Sequence, residues 1–144
     1  MRLVTYDAGQ GPAAGVLLDD GIAPIEGSVR ESLDDLNSSY LRLKEAGIEP
    51  AFCIDHGMTI SYYYADPDGN HVELQVDNFG DWSKSTEWMS NSDEFKANPI
   101  GVFVDPDRVA ADHAEGLSFQ EIHAKAMAGG YAPEQAPVEI PEAS

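Results

Sequence analysis

The segment that most constrains this chain is Met58 to Val76, two alternating runs joined by Asp66-Pro67-Asp68-Gly69-Asn70. Proline and glycine in that junction supply the geometry of a tight reversal, so the runs read as an antiparallel hairpin. Successive side chains of a strand point to opposite faces. His71, Glu73, Gln75 and Asp77 therefore share one face of the later strand, and Val72, Leu74 and Val76 the other. In the earlier strand Thr59, Ser61, Tyr63 and Ala65 oppose Met58, Ile60, Tyr62 and Tyr64. Centring the turn on Asp68 places Tyr63 directly across from Glu73, with Cβ atoms about 5 Å apart. A carboxylate beside a phenol on a polar sheet face can form a site. A sheet with one solvated side gives the same alternation, so both readings stand at this point.

The surrounding segments suggest an α+β fold. Ser32 is a natural helix N-cap, Asp34 and Asp35 suit the first turn, and Leu33, Leu36, Tyr40 and Leu43 recur at helical spacing. Lys44 suits the last turn and Gly47 the C-terminal cap. A short strand over Ala51 to Ile54 follows, giving the order helix-β-β-β, which lacks only a leading strand to make a βαβββ unit. Residues 1–27 read as a small β-meander, with Asp20-Gly21 as a hairpin turn. Beyond Asn78 the pattern turns helical over about 83–97. A run over Ile100 to Val104 precedes a cap at Asp105-Pro106, and Ser118 with Glu121 forms a capping box. We therefore divide the chain into a meander (1–27), a module (28–132) and a proline- and glutamate-rich tail (133–144) expected to be disordered.

Charge narrows the partners. Eight Lys and Arg against 26 Asp and Glu leave a formal charge of −18, which repels nucleic acid and anionic membranes. No apolar run approaches the ~20 residues needed to span a bilayer. The N-terminus turns polar too early for a signal peptide. Cys53, the single cysteine, lies in an apolar run and reads as a buried thiol of a cytoplasmic protein.

From Pro50 to Asp77 the sequence resembles the metal-binding module of type I extradiol ring-cleavage dioxygenases. His56, Tyr63, Asp66, Pro67, Gly69 and Glu73 stand at the spacings of that family's signature, with Tyr62 at a position normally apolar. The likeness extends from about Ser32 to about Pro133 and takes in F-K-A-N-P-I-G-V-F-V-D-P. It implies the vicinal oxygen chelate fold, in which paired βαβββ modules form a cup around Fe(II) or Mn(II) held by two histidines and one glutamate. That geometry leaves positions open for substrate and O₂. The resemblance makes Glu73 the carboxylate ligand and His56 an acid/base near the substrate oxygen. It makes Tyr63 a hydrogen-bond partner of a bound small aromatic diol.

The same comparison exposes departures. The family's histidine ligands lie on the first strands of two successive modules. Here the matching position falls near Ile25, in I-A-P-I-E-G, and the module carrying the other histidine is not in the sequence. His71 shares a face with Glu73 and could approach a metal, although ligation at i,i+2 is not the family arrangement. His113 and His123 read as surface residues of late helices. The opening M-R-L-V-T-Y-D-A-G-Q-G-P-A-A-G-V-L-L-D-D-G resembles the start of fumarylacetoacetate hydrolase family proteins. The expectation is an extradiol dioxygenase-like protein with an incomplete metal site and little or no activity alone. The alternatives are a non-catalytic binding module of the same fold and, on the N-terminal likeness only, a hydrolase. A half-cup exposes sheet edges, which favours closure as a homodimer.

Overall fold

The computed structural model describes residues 2–7, 12–18, 21–24, 29–30, 32–135 and 137, with side chains from residue 32 onward. Three N-terminal strands, β1 (Arg2–Asp7), β2 (Pro12–Leu18) and β3 (Gly21–Pro24), form an antiparallel sheet of their own in the order β1-β2-β3. Leu18 pairs with Gly21, so the reversal falls at 19–20, outside the described residues.

The second sheet is built from β4 (Val29–Arg30), β5 (Phe52–Asp55), β6 (Thr59–Ala65), β7 (His71–Asp77) and β8 (Val102–Phe103), in the order β4-β7-β6-β5-β8. Only the β4–β7 contact is parallel. With α1 (Leu33–Glu45) after β4, the order β4-α1-β5-β6-β7 is a complete βαβββ module of the vicinal oxygen chelate type. The leading strand that the sequence reading left out is thus β4. Two paired residues are too few to carry a period, so the parallel contact with Gln75 and Val76 left no pattern to read.

Helix α1 starts where Ser32 accepts the Asp35 amide on its hydroxyl at 3.2 Å. Its face of Leu33, Leu36, Tyr40 and Leu43 is buried, and it lies against the sheet face that carries Cys53, Ile60, Tyr62, Leu74 and Val76. Burying each such side chain contributes about 1.5–3 kcal/mol. Tyr62, at the position normally apolar, is fully buried, and its hydroxyl donates to Asn37 Oδ1 at 3.2 Å. The phenol body fills the core as an aliphatic residue would, and its one polar atom finds a partner.

The C-terminal segment folds over the β5 end of the sheet. The expected helix over about 83–97 is two, α2 (Trp82–Asn91) and α3 (Asp93–Ala97), because Ser92 turns extended and caps the second through the Phe95 amide. Helix α4 (Pro106–Ala114) opens on Asp105, and α5 (Phe119–Met127) on the Ser118–Glu121 capping box. Strand β8 adds to the outer edge of β5, pairing Ile54 with Phe103 and Asp55 with Val102. Among the described residues, no helix is long and apolar enough to cross a membrane.

Candidate functional site

Strand register assembles the site. Phe52, Tyr63 and Glu73 form one cross-strand row on the face opposite α1. Tyr63 and Glu73 are the direct pair predicted from the turn, and the tyrosine hydroxyl donates to Glu73 Oε1 at 2.8 Å. Phe52 stacks on the Tyr63 ring, with centroids 4.6 Å apart and planes 23° apart. His56 comes from the β5–β6 connection, and its Nε2 lies 3.0 Å from the same hydroxyl. All four side chains are half-buried. His71 is exposed and meets Phe52 edge-on. Burial, and then the hydrogen bond to Glu73, push the Tyr63 phenol well above its ordinary pKa, so it keeps its proton.

Counting protons shows what this row can do. The Nδ1 of His56 faces the Ile100 carbonyl, which only accepts, so Nδ1 carries a hydrogen. A neutral ring then has a bare Nε2 and accepts the Tyr63 hydroxyl's hydrogen bond in place of Glu73. A doubly protonated ring donates from Nε2 to the Tyr63 oxygen, and the phenol donates onward to Glu73. The Tyr63 hydroxyl therefore stands between two partners, 3.0 and 2.8 Å away, and its hydrogen can turn to either. The arrangement is a short relay whose middle member reorients without moving its oxygen.

The seat of His56 is tightly determined. Its amide donates to Thr59 O at 2.9 Å, and the Gly57 amide donates to Asp55 Oδ1 at 2.8 Å. Asn78 Nδ2 donates to Gly57 O at 2.9 Å. Trp88 lies so close to Gly57 that a Cβ there would stand 2.3 Å from the indole. Gly101 crosses over the peptide joining Asp55 and His56 with φ +97°, a conformation that only glycine adopts without strain.

Sequence reasoning missed the groups beneath this corner. Asp55 is fully buried, and its Oδ2 meets His123 Nδ1 at 2.9 Å. His123 Nε2 meets Glu94 Oε1 at 2.8 Å. The Asp55 hydrogen bond raises the His123 pKa above its ordinary value, opposed by burial and aided by the charges of Asp55 and Glu94. His123 is thus not a surface residue, as its helical context suggested, because a buried carboxylate needs a donor. His113 is also held, between Asp34 Oδ1 at 3.0 Å and Leu117 O at 3.2 Å. Asp55, directly after the apolar run Ala51 to Ile54, was the signal available: an acid there calls for a partner.

Among the described residues, two histidines and Glu73 are not brought together as an iron or manganese site would need. The chain has four histidines. His56 is engaged with Ile100 and Tyr63, His113 with Asp34, and His123 with Asp55 and Glu94. His71 shares the face of Glu73 but packs on Phe52. Among the described residues no three His, Cys, Asp or Glu side chains converge on a point that could hold a metal. Position 25, where the family's histidine was expected, lies outside the described residues. Two cavities lie away from the row. One of about 240 Å³ sits between α1, β5 and α4 and touches it only at Phe52. The other, of about 380 Å³, lies along β8 and the end of α5.

Comparison with known proteins finds similar chains. The chain is 44% identical over 98 residues to biphenyl-2,3-diol 1,2-dioxygenase 2 of Rhodococcus globerulus, covering 68% of this chain and 51% of that protein. It is 41% identical over 97 residues to biphenyl-2,3-diol 1,2-dioxygenase 3 of the same organism, covering 67% and 50%. The chain thus spans about half the length of the curated relatives it matches. No protein-family model matches it, and no solved structure gives a significant match.

Proposed function

We propose that the module, 44% and 41% identical to two biphenyl-2,3-diol 1,2-dioxygenases, shares the descent of type I extradiol dioxygenases and carries the substrate-facing half of such a site without a complete metal shell. The observation behind the proposal is the row of His56, Tyr63 and Glu73, linked by hydrogen bonds of 3.0 and 2.8 Å beside the Phe52 ring. An aromatic diol fits these groups. Its ring would lie along Phe52 and Tyr63, and one hydroxyl would exchange hydrogen bonds with Tyr63 and His56. The proton that His56 can take or return is the one a diol releases on binding. Glu73 is the carboxylate that the family likeness assigns to Fe(II) or Mn(II), but a single carboxylate competes poorly with water for a divalent ion. Ring cleavage by these 144 residues alone should therefore be slow or absent. Closure of the cup by a second copy is the arrangement we favour, since one βαβββ module leaves the cup unfinished.

A diol titration tests this reading. Catechol or a biphenyl diol added to the metal-free protein should quench tyrosine and tryptophan fluorescence saturably. Tyr63→Phe should weaken binding about fivefold, the worth of one neutral hydrogen bond of about 1 kcal/mol. Absence of saturable binding, or equal affinity in the variant, would refute the proposal. Sedimentation at the monomer mass of 15.6 kDa at working concentration would remove the dimer.

A further inference from the structure

Beneath the His56 corner is a chain of side chains, buried at Asp55 and exposed at Glu94, that the site itself does not use. It runs from Asp55 on β5 through His123 on α5 to Glu94 on α3. We infer that His123 is a positioning residue for His56, acting through the Asp55 carboxylate, and that this role extends the diol-site reading above. The argument rests on where the two oxygens of Asp55 go. Oδ1 accepts the Gly57 amide at 2.8 Å, and Oδ2 faces the His123 ring at 2.9 Å. The carboxylate thus spans His56, gripping the main chain on its far side while its own residue precedes it.

Asp55 is wholly shielded from water in the intact fold, so its Oδ2 depends on His123 for a partner. An unpartnered buried carboxylate must turn, protonate or admit water, and each outcome weakens its hold on the Gly57 amide. His56 Nε2 then loses its fixed 3.0 Å approach to Tyr63. The ring of His123 is itself located by Phe119, stacked at 5.8 Å and 20°, and by Trp88 edge-on at 6.4 Å. Trp88 also abuts Gly57 from α2. Helices α2, α3 and α5 therefore converge on one turn through groups that never touch a diol.

The two ring nitrogens of His123 can be separated by substitution. An asparagine amide occupies the place of Nδ1, and a glutamine amide that of Nε2. His123→Asn keeps the donor to Asp55 and loses Glu94, and His123→Gln does the reverse. The readout is the imidazole ¹⁵N–¹H correlation of His56 in the full chain, which reports its tautomer and hydrogen bonding independently of activity. His56 signals should stay in place in His123→Asn and be displaced in His123→Gln, with Asp55→Asn displacing them as well. Circular dichroism and melting confirm that each variant is folded. Unmoved His56 signals in both His123→Gln and Asp55→Asn, or equal displacement in His123→Asn and His123→Gln, would overturn the inference. Tyr63→Phe serves as the separate control. If it leaves His56 unmoved, the His56–Tyr63 pairing fails, and with it the diol-site reading, whatever His123 does.

Discussion

Gly101→Ala probes the corner most severely. A Cβ at that position would lie 2.0 Å from the Asp55 carbonyl oxygen and 2.8 Å from both its carbon and the His56 Cα. All three are main-chain atoms, so no side chain can swing aside. The φ of +97° adds a cost of about 1–2 kcal/mol for any residue with a Cβ. Overpacking against backbone adds about 1–3 kcal/mol, for a total of about 2–5 kcal/mol. Near this chain length each kcal/mol moves the melting temperature by about 4 °C, so a fall of about 8–20 °C is expected. Gly116→Ala isolates the conformational part, since Gly116 has φ +101° and open space around its virtual Cβ. Thermal melts of the two variants followed by circular dichroism should differ by the overpacking cost alone. Melting temperatures within about 2 °C of each other would refute the close approach of the Gly101 loop to Asp55 and His56.

Two further predictions concern stability. The His123 pKa is raised in the fold, so its interaction with Asp55 and Glu94 should stabilise fully below pH about 6.5 and be lost as pH rises through the raised value. Urea denaturation of the protein and of His123→Ala from pH 6 to 8.5 should show a stability gap that narrows towards the alkaline end, and a gap constant with pH would count against this. On α1, Leu36→Ala should cost about 2–5 kcal/mol and Leu41→Ala less than about 0.5 kcal/mol, because the first is fully buried and the second 48% exposed. Similar denaturation midpoints for the two would mean that α1 presents a different face to the sheet.

What could be read from the sequence was local. The pairing of Tyr63 with Glu73 followed from period-two alternation and a turn of known composition, and the register bears it out. The caps at Ser32, Asp105 and Ser118 were legible because a capping side chain acts within three residues of itself. Long-range pairings were not. The β4–β7 contact spans only two residue pairs, and Asp55 meets His123 across 68 positions. Nothing local marks either partner, beyond the oddity of an acid at the end of an apolar strand. The half-buried state of His56 likewise depends on Ile100, 44 residues away. The break at Ser92 was missed for a different reason: tryptophan, methionine and phenylalanine kept helical spacing across a residue that caps the next helix.

The central proposal is a diol-facing row without ligands enough to hold a catalytic metal. Iron content measured by mass spectrometry, after anaerobic loading with Fe(II) and desalting, tests it most directly when paired with a catechol-cleavage assay on the same sample. The account predicts iron far below one equivalent per chain and no ring-cleavage product above the metal-only blank. Glu73→Ala should then change neither reading. One equivalent of iron, with cleavage product that disappears in Glu73→Ala, would contradict it and would mean that the chain finds its missing ligands in His71 or in a second copy.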